Sequence, residues 1–298
     1  MSHHAFELVD DRFYTGSVDH WEPQITPEVA QAVTHALEMG KVVYLPRLNF
    51  HLESVQQSLL TMPLHPLGAK NISYNPKNQR IGGIDSATIA AALVKSVMQR
   101  YHQFSMKLLN ALCPQYQAEQ CSGRTSFRPI EIKGRKPVSY RKDDSRLHVD
   151  AFPSTPVNNL RILRVFTNIN PDGENRCWRL GEPFSEVMRQ FLPRARRLLP
   201  LEAEILYRLK ATRQRRSHYD HYMLQIHNAM KADVEYQRSC PAVSMEFPPG
   251  STWIVYTDLV SHAALAGRFV LEQTYYPAVE NMLNPALSPQ RQIQAMEK

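Results

Sequence analysis

The sequence contains no run of about 18 apolar residues, the length that a transmembrane helix needs. Its amino terminus, MSHHAFELVDDRFYTG, has neither the basic start nor the apolar core of a secretory signal. Only 4 of the 298 residues are cysteines, and none of them forms a C-x-x-C pair, which argues against a structural zinc site and against a disulfide framework. We therefore expect a cytoplasmic protein with free thiols.

Internal repeats, low-complexity tracts and flexible Gly/Ser linkers are also missing, and the 21 prolines are scattered along the chain. Hydrophobic residues make up 43% and charged residues 21%, which is typical of a globular protein. The simplest organisation is a single domain over residues 1–298. It would comprise a mainly helical part (1–123), a strand-rich core (124–277) and a carboxy-terminal tail (278–298).

Acidic residues are too few to balance the basic ones. The formal net charge is +7. Between residues 194 and 216, eight Lys or Arg residues face two Glu residues. Such a stretch fits an anionic membrane surface, an acidic substrate or nucleic acid, although a solvated helical face would have the same composition. No zinc finger or RNP-like motif is present, so we expect no nucleic acid as a partner. Nothing in the sequence predicts an obligate protein partner.

The first third of the chain is predicted to be mainly helical. Thr26 is an N-cap candidate followed by proline, apolar residues then recur at helical spacing, and Gly40 ends the helix. A short strand, KVVYLP, is expected at 41–46, and a longer helix is expected to begin at Asp85 or Ser86.

From about residue 124 the sequence pattern is that of short strands rich in β-branched and aromatic residues. The predicted strands are TSFRPIEI, SRLHVDAF, LRILRVFTNIN, STWIVYTDLV and RFVLEQTYY. Two helical inserts are expected, at about 182–199 and 219–237. The chain is therefore predicted to be an α+β protein with an antiparallel sandwich or barrel.

One motif in this region can bind a metal ion. In SRLHVDAF, His148 and Asp150 are two residues apart, so on a strand both side chains would point to the same face. His262 follows the strand STWIVYTDLV and can supply a third ligand from a distant part of the chain. Two histidines and one carboxylate on one side of an ion form the facial triad typical of non-haem Fe(II) oxygenases. We therefore predict an Fe(II) site.

Other histidines offer a weaker pattern. His218, His221 and His227 fall in a predicted helix without an H-E-x-x-H motif or a suitably spaced cysteine, so we interpret them as ordinary helix histidines. His3 and His4 are assigned no role.

An iron site of this type usually binds a dicarboxylate, whose far end needs a buried base. Strand alternation in LRILRVFTNIN places Arg164 on one face and Arg161 on the other. Arg268, six residues after His262, is the rival, and Arg164 is preferred. A surface ion pair is the alternative interpretation for each.

Substrate contacts are predicted from the cations that precede the H-x-D motif. Arg128, Arg141 and Lys142 could orient an acidic substrate, or they could pair with neighbouring acids as ordinary surface charge. Trp178 either lines the site or packs beneath it.

Three segments, SRLHVDAFPS, LRVFTNINPDGENRCWRLGEPF and SHAALAGRFVLEQTYY, resemble the bacterial Kdo hydroxylases, a branch of the Fe(II)/2-oxoglutarate-dependent dioxygenases. The resemblance implies a double-stranded β-helix (jelly-roll) core, with His148, Asp150 and His262 as iron ligands. It implies that 2-oxoglutarate and O2 are co-substrates, held with help from Arg164 or Arg268, and that ascorbate serves as reductant in vitro.

The same resemblance implies hydroxylation at carbon 3 of 3-deoxy-D-manno-oct-2-ulosonic acid (Kdo) attached to lipid A, during synthesis of the lipopolysaccharide inner core. The enzyme would then work at the inner face of the inner membrane, where the basic 194–216 stretch would meet anionic lipid. Two alternatives stay open. The same iron centre could oxidise another small acid or a protein side chain, or the protein could bind an acidic sugar or nucleic acid without catalysis.

Overall fold

The computed structural model describes residues 5–62, 64 and 70–296. His3 and His4 lie outside these ranges. Helices and strands are both abundant, which confirms the prediction of a mixed helix and sheet protein. No helix in the described ranges is long and apolar enough to cross a membrane.

The helices are α1 (Pro27–Glu38), α2 (Ser54–Gln57), α3 (Ile89–Leu112), α4 (Ala118–Cys121), α5 (Phe184–Phe191), α6 (Glu202–Arg208), α7 (His218–Ala232), α8 (Val234–Ser239) and α9 (Pro289–Met296). The strands are β1 (Phe6–Asp10), β2 (Phe13–Gly16), β3 (Val42–Leu45), β4 (Ile72–Asn75), β5 (Arg80–Gly82), β6 (Ser122–Arg128), β7 (Leu163–Asn168), β8 (Arg176–Leu180), β9 (Val243–Phe247), β10 (Thr252–Tyr256), β11 (His262–Ala266) and β12 (Val270–Tyr275).

The strands form two sheets. The large sheet has the order β1-β2-β3-β10-β7-β12-β6-β4-β5, and the small sheet has the order β11-β8-β9. Neighbouring strands are antiparallel except β2 and β3. Strand β7 lies in the middle of the large sheet between β10 and β12, and all six of its residues are buried. The large sheet is therefore covered on both faces.

A compact aromatic cluster joins the two sheets. Trp178 of β8 contacts Phe166 of β7 and Trp253 of β10, with ring centroids 5.1 Å and 5.7 Å apart. Phe247 of β9 stacks on Trp253 at 4.0 Å. The opposite face of the large sheet packs against α3, where the Tyr101 hydroxyl donates to the Val165 carbonyl (3.2 Å). Aromatic rings therefore fill the space between the two sheets around Trp178.

The first third contains more strand than predicted. Helix α1 is confirmed, since the Thr26 hydroxyl accepts from the Val29 amide, and so is the strand at 41–46. Four further strands, β1, β2, β4 and β5, extend the large sheet at its edges. They have three to five residues each, too few for an alternating pattern to emerge.

The predicted start of the long helix was also wrong, by a few residues. Thr88 is the N-cap of α3 and accepts from the Ala91 amide, whereas the Asp85 carboxylate accepts from the Ala87 amide in a turn before the helix. A carboxylate that bonds its own backbone two residues on favours a turn over a helix.

In the strand-rich region, four of the predicted strands are confirmed as β6, β7, β10 and β12, whereas β8, β9 and β11 were not predicted as strands. The insert predicted at 182–199 is a shorter helix, α5, followed by a 3-10 turn, and the next helix is α6. The second insert consists of α7 and α8. SRLHVDAF is not a regular strand, because its only ladder contact is a bridge between His148 and His262.

Candidate metal centre

Backbone hydrogen bonds bring the three predicted ligands together. The His148 amide donates to the His262 carbonyl (3.0 Å), and the His262 amide donates back to His148 (2.9 Å). Two residues on, the Asp150 amide donates to the Thr257 carbonyl (2.7 Å). One ligand atom from each of His148, Asp150 and His262 lies within 4.8 Å of the other two. The i, i+2 spacing therefore places both side chains on one face even though the strand is not regular.

Each of the two imidazoles is oriented by the backbone carbonyl two residues before it in the chain. Nδ1 of His148 lies 2.7 Å from the Arg146 carbonyl, and Nδ1 of His262 lies 2.9 Å from the Val260 carbonyl. A carbonyl can only accept, so Nδ1 carries the proton in each ring and Nε2 keeps its lone pair. Nε2 of His148 lies 3.6 Å from Oδ1 of Asp150. A hydrogen bond from the other ring nitrogen to a carbonyl usually fixes the orientation of a histidine that binds a metal ion.

The electrostatics favour the forms that bind a cation. Burial lowers the pKa of His262 to about 3, with a further contribution from His148, so this ring is neutral at pH 7. Burial alone would raise the pKa of Asp150, but the Arg164 guanidinium and the two imidazoles outweigh burial and hold that pKa well below its usual range. Two imidazole nitrogens and one carboxylate oxygen are a donor set that fits Fe(II).

Arg164 neutralises the charge around Asp150. Its Nη2 lies 2.8 Å from Oδ2 of Asp150, and its Nη1 donates to Oε1 of Glu272 (2.7 Å). Glu272 of β12 also accepts from Nε of Arg128 (2.8 Å). As predicted from strand alternation, Arg164 points between the sheets, but its guanidinium already faces two carboxylates.

Arg176, which the sequence reasoning missed, has a different environment. Its side chain is only 3% exposed, Nη1 donates to the Gly267 carbonyl (2.8 Å), and Nε has no partner. No carboxylate pairs with it in the described part of the chain. Burial, with a smaller contribution from the Arg128 charge, lowers its pKa to about 9, although Asp144 and Glu131 act in the opposite direction. A buried cation that makes no direct ion pair is suited to bind an anion.

Local geometry explains why Arg176 is held there. Gly267 has φ of +104°, and a Cβ at this position would lie 2.9 Å from the Arg176 backbone, so only glycine allows the β11–β12 turn to approach. Arg176, Trp178 and Leu180 are the buried positions of β8. Trp178 is one of the predicted substrate residues. Buried positions alternate along β8, so the same pattern could have identified Arg176, two residues earlier.

Two aromatic neighbours pack on the ligand rings. The Trp178 indole stacks on His262 with centroids 5.1 Å apart and an interplanar angle of 23°. His227 packs edge-on against His148 at 5.1 Å, and its Nδ1 donates to the Val149 carbonyl (2.8 Å). Burial lowers the pKa of His227 to about 3. His227 is a partly buried helix histidine, as interpreted, and it packs beside a candidate ligand without joining the metal-binding group of described residues. His221 instead bonds the Arg196 carbonyl.

The rival arginines lie elsewhere. Arg161 is fully buried in the layer outside the sheets, where Nε donates to Asp258 (2.7 Å) and the guanidinium covers the Tyr256 ring. Arg268 is 40% exposed and pairs with Asp172 (2.7 Å). Both charges are neutralised by partners other than the three candidate ligands, which disfavours Arg161 and Arg268 as clamps.

The predicted substrate residues are divided between two places. Arg128 and Trp178 lie near the ligands through Glu272 and His262, respectively. Arg141 and Lys142 are exposed on a 3-10 helix, Tyr140–Lys142, whose Arg141 carbonyl accepts from Lys231 of α7 (3.1 Å).

Comparison with known proteins gives a consistent result. Residues 20–298 match the family model of 3-deoxy-D-manno-oct-2-ulosonic acid (Kdo) hydroxylase. Two solved structures of the Kdo hydroxylase KdoO, a non-haem Fe(II) α-ketoglutarate-dependent dioxygenase, are 41% identical and cover 96% of both chains. They are a complex with α-ketoglutarate and Fe(III) (TM-score 0.90) and an apo form (TM-score 0.91). A cobalt(II) complex is 42% identical with TM-score 0.91. No curated protein matches the sequence significantly.

Proposed function

The chain belongs to the Kdo hydroxylase family and is an Fe(II)/2-oxoglutarate-dependent dioxygenase, and on this premise we propose that it hydroxylates carbon 3 of a Kdo unit already attached to lipid A. The observation that carries the proposal is the convergence of His148, Asp150 and His262 on one point, with Arg176 on the same buried face of β8 as Trp178, which stacks on His262. This arrangement provides a metal position and an anion position between the same two sheets.

We propose further that the core is a double-stranded β-helix. From β6 to β12 the chain passes repeatedly between the two sheets. Strands β6, β7, β10 and β12 lie in the large sheet, whereas β8, β9 and β11 lie in the small one. The segment that carries His148 pairs with β11 at the edge of the small sheet. This succession supports a jelly roll with the metal ligands at one end.

The 2-oxoglutarate site is assigned to Arg176, with Arg128 beside it. Arg164 points to the same region, but it holds Asp150 and Glu272, so Arg176 has the cation that a distal carboxylate would neutralise. Nε has no partner in either arginine, so the choice rests on the ion pairs: Arg164 has two, whereas Arg176 has none among the residues that the structure describes. Trp178, between Arg176 and His262, would form the wall of the cofactor site.

Each residue then has a distinct task. Bound iron supplies the activation of O2 that is coupled to decarboxylation of 2-oxoglutarate. Arg164 keeps Asp150 ionised and aimed at the metal position, and the carbonyls of Arg146 and Val260 fix the two imidazoles. The aromatic cluster excludes water from the space between the sheets, which strengthens each charge interaction there.

On the substrate side, the exposed Arg141 and Lys142 remain proposed contacts for the Kdo carboxylate. They belong to a short helix that is tied to α7 through Lys231, and α7 also carries His227 next to the metal ligands. We propose that the enzyme acts at the inner face of the inner membrane, because its lipid-linked substrate is anchored there.

Mass spectrometry tests the function directly. Protein incubated with Fe(II), ascorbate, 2-oxoglutarate and Kdo–lipid A should add one oxygen to the Kdo unit. The Asp150→Ala variant should lose at least about a thousandfold in rate, since it lacks a metal ligand and leaves Arg164 without one of its anions. Succinate formation without oxidised lipid would refute the Kdo substrate and retain the oxygenase. A product that forms equally well with Asp150→Ala would refute the metal centre.

A further inference from the structure

Helix α6 presents its apolar side to solvent. Leu201, Ile205 and Leu209 recur every four residues, so they form one stripe along the helix. They are 73%, 53% and 73% exposed, and neighbouring Leu199 is 60% exposed. No residue of α6 is buried. A surface helix normally turns such a stripe toward the core, so its exposure here indicates a surface that binds an apolar phase.

Cations flank this stripe, but fewer are free than the sequence suggested. Arg196 pairs with Glu202, and both Arg208 and Arg215 pair with Glu204. Lys210 and Arg213 have no ion-pair partner in the part of the chain that the structure describes. Lys210 and Arg213 therefore place positive charge without an ion-pair partner on the side of the stripe that follows α6.

A cavity of about 470 Å³ lies among these free cations. It is lined by Tyr207, Arg208, Lys210, Thr212 and Arg213. Thr212 is only 3% exposed, yet its hydroxyl has no hydrogen-bond partner. Two unpaired cations and a buried hydroxyl with free bonding capacity suit a phosphate group, which offers several acceptor oxygens.

Residues of this surface form hydrogen bonds with the segment that follows Asp150 in the chain. The Arg213 amide donates to the Ser154 carbonyl (2.9 Å), and Nη2 of Arg216 donates to the Pro153 carbonyl (2.9 Å). These carbonyls lie three and four residues after Asp150. In the same segment, the Phe152 ring lies 5.8 Å from the Arg164 guanidinium carbon. A ligand bound at α6 therefore lies beside the segment that follows the candidate ligand Asp150 in the chain.

We propose that this α6 surface, formed by Leu199, Leu201, Ile205 and Leu209 together with the cavity of Lys210, Thr212 and Arg213, docks on an anionic lipid bilayer. The four apolar side chains enter the boundary between headgroups and acyl chains, and the cavity binds a lipid phosphate. This inference deepens the proposed function and rests on it, because the enzyme needs to dock on a bilayer only if its substrate is anchored in a membrane. Charge complementarity selects the occupant, since an apolar stripe bordered by cations fits phospholipid better than an acidic protein.

Vesicle sedimentation tests the surface with two variants. Leu201→Ser/Ile205→Ser/Leu209→Ser removes the apolar stripe, and Lys210→Ala/Arg213→Ala removes the free cations. On phosphatidylglycerol/phosphatidylethanolamine vesicles, the first should lower the partition constant at least about tenfold. The second should lower it about fivefold for each cation removed, the equivalent of about 1 kcal/mol each at an anionic membrane. Phosphatidylcholine vesicles should bind the wild-type protein far more weakly.

Matched controls come from other parts of the surface. Val55→Ser/Ile89→Ser/Val138→Ser removes three side chains that are 70%, 78% and 90% exposed, and Lys77→Ala/Arg80→Ala removes two exposed cations near the β4–β5 turn. Both controls should bind vesicles like wild type. Equal losses in controls and α6 variants, or no loss in the α6 variants, would overturn the proposal. So would displacement of wild-type protein from vesicles by millimolar inorganic phosphate alone, which would make the cavity a site for soluble phosphate.

Hydroxylation assays separate this proposal from the proposed function. The α6 variants should lose rate on Kdo–lipid A in vesicles and retain the wild-type rate on a water-soluble Kdo glycoside. Failure of the wild-type enzyme on both substrates would refute Kdo hydroxylation and leave the vesicle result to decide the docking surface. An equal loss on both substrates would place the effect of the α6 variants on catalysis and contradict docking.

Discussion

Arginine–carboxylate pairs occur in two contrasting regions of this protein. Between the sheets, Arg164 bridges Asp150 and Glu272, and its side chain is 10% exposed. On α6, Arg208 pairs with Glu204 while its own side chain is 76% exposed. The chemistry of the two pairs is the same, but water screens only the second. Charges between the sheets can therefore fix geometry, whereas those around α6 mainly set how the surface meets a partner.

The buried arginines differ among themselves as well. Arg161 faces Asp258 with both side chains fully buried, whereas Arg176 is buried without a carboxylate partner in the described ranges. A buried pair is costly to break because one charge is left uncompensated, and a buried lone cation is costly to keep until an anion arrives. The first arrangement belongs to a structural role and the second to a ligand site.

The largest predicted effect comes from breaking the fully buried pair. Asp258→Ala should lower the free energy of unfolding by about 3–5 kcal/mol, because it strands the Arg161 charge in the layer outside the sheets. It also removes the acceptor of the Tyr219 hydroxyl (3.0 Å). Urea denaturation measures the change, and Asp258→Asn provides a milder version if the alanine variant does not fold.

The exposed counterpart is Glu204→Ala, whose urea midpoint should match that of wild type. If Asp258→Ala and Glu204→Ala proved equally stable, burial would not be what distinguishes the two regions.

Removing the lone buried cation should have effects of opposite sign on stability and on ligand binding. Arg176→Met should leave the protein without co-substrate as stable as wild type or slightly more stable, because it removes an uncompensated buried charge. The KM for 2-oxoglutarate should rise about a hundredfold, since a charge-assisted pair to a buried carboxylate contributes about 3 kcal/mol. Thermal unfolding with and without 2-oxoglutarate, together with steady-state kinetics, measures both.

Arg268→Met is the control for this variant, because it removes the exposed rival of Arg176 while its neighbours Asp172 and Glu174 stay in water. Its KM should not change. A hundredfold rise with Arg268→Met and none with Arg176→Met would reverse the assignment of the 2-oxoglutarate site.

The sequence predicted the metal ligands because their geometry is local. A two-residue spacing places His148 and Asp150 on one face in any extended backbone, and His262 was found through the strand before it. Strand alternation likewise separated Arg164 from Arg161 correctly. Three sequence segments resemble the Kdo hydroxylases, and the family match confirms that the chain belongs to this family.

What could not be predicted depends on long-range pairing. Which arginine keeps a free charge is decided by Asp258, Glu272 and Asp172, each of which is about a hundred residues from its partner in the chain. The exposed stripe of α6 was also missed, because the same pattern in sequence normally indicates a buried face. Composition located a basic stretch but could not show that Glu202 and Glu204 pair with three of its arginines.

The smallest effect concerns an exposed pair and its dependence on pH. The Arg196 guanidinium lowers the pKa of Glu202 from 4.5 to about 2. Because the folded pKa lies below the unfolded value, the ionised carboxylate stabilises the fold above about pH 4.5, and this contribution is lost as the pH falls toward 2. At pH 7, Glu202→Gln should cost less than about 1 kcal/mol, since solvent screens a pair whose arginine is 57% exposed.

Urea denaturation of wild type and Glu202→Gln at several pH values measures this contribution. The difference between their free energies of unfolding should shrink as the pH falls from 4.5 toward 2. Glu280→Gln, which breaks no ion pair between described residues, should unfold like wild type at every pH. A gap between wild type and Glu202→Gln that widens on acidification would mean that the carboxylate opposes folding at this surface, contrary to the contrast drawn between the two regions.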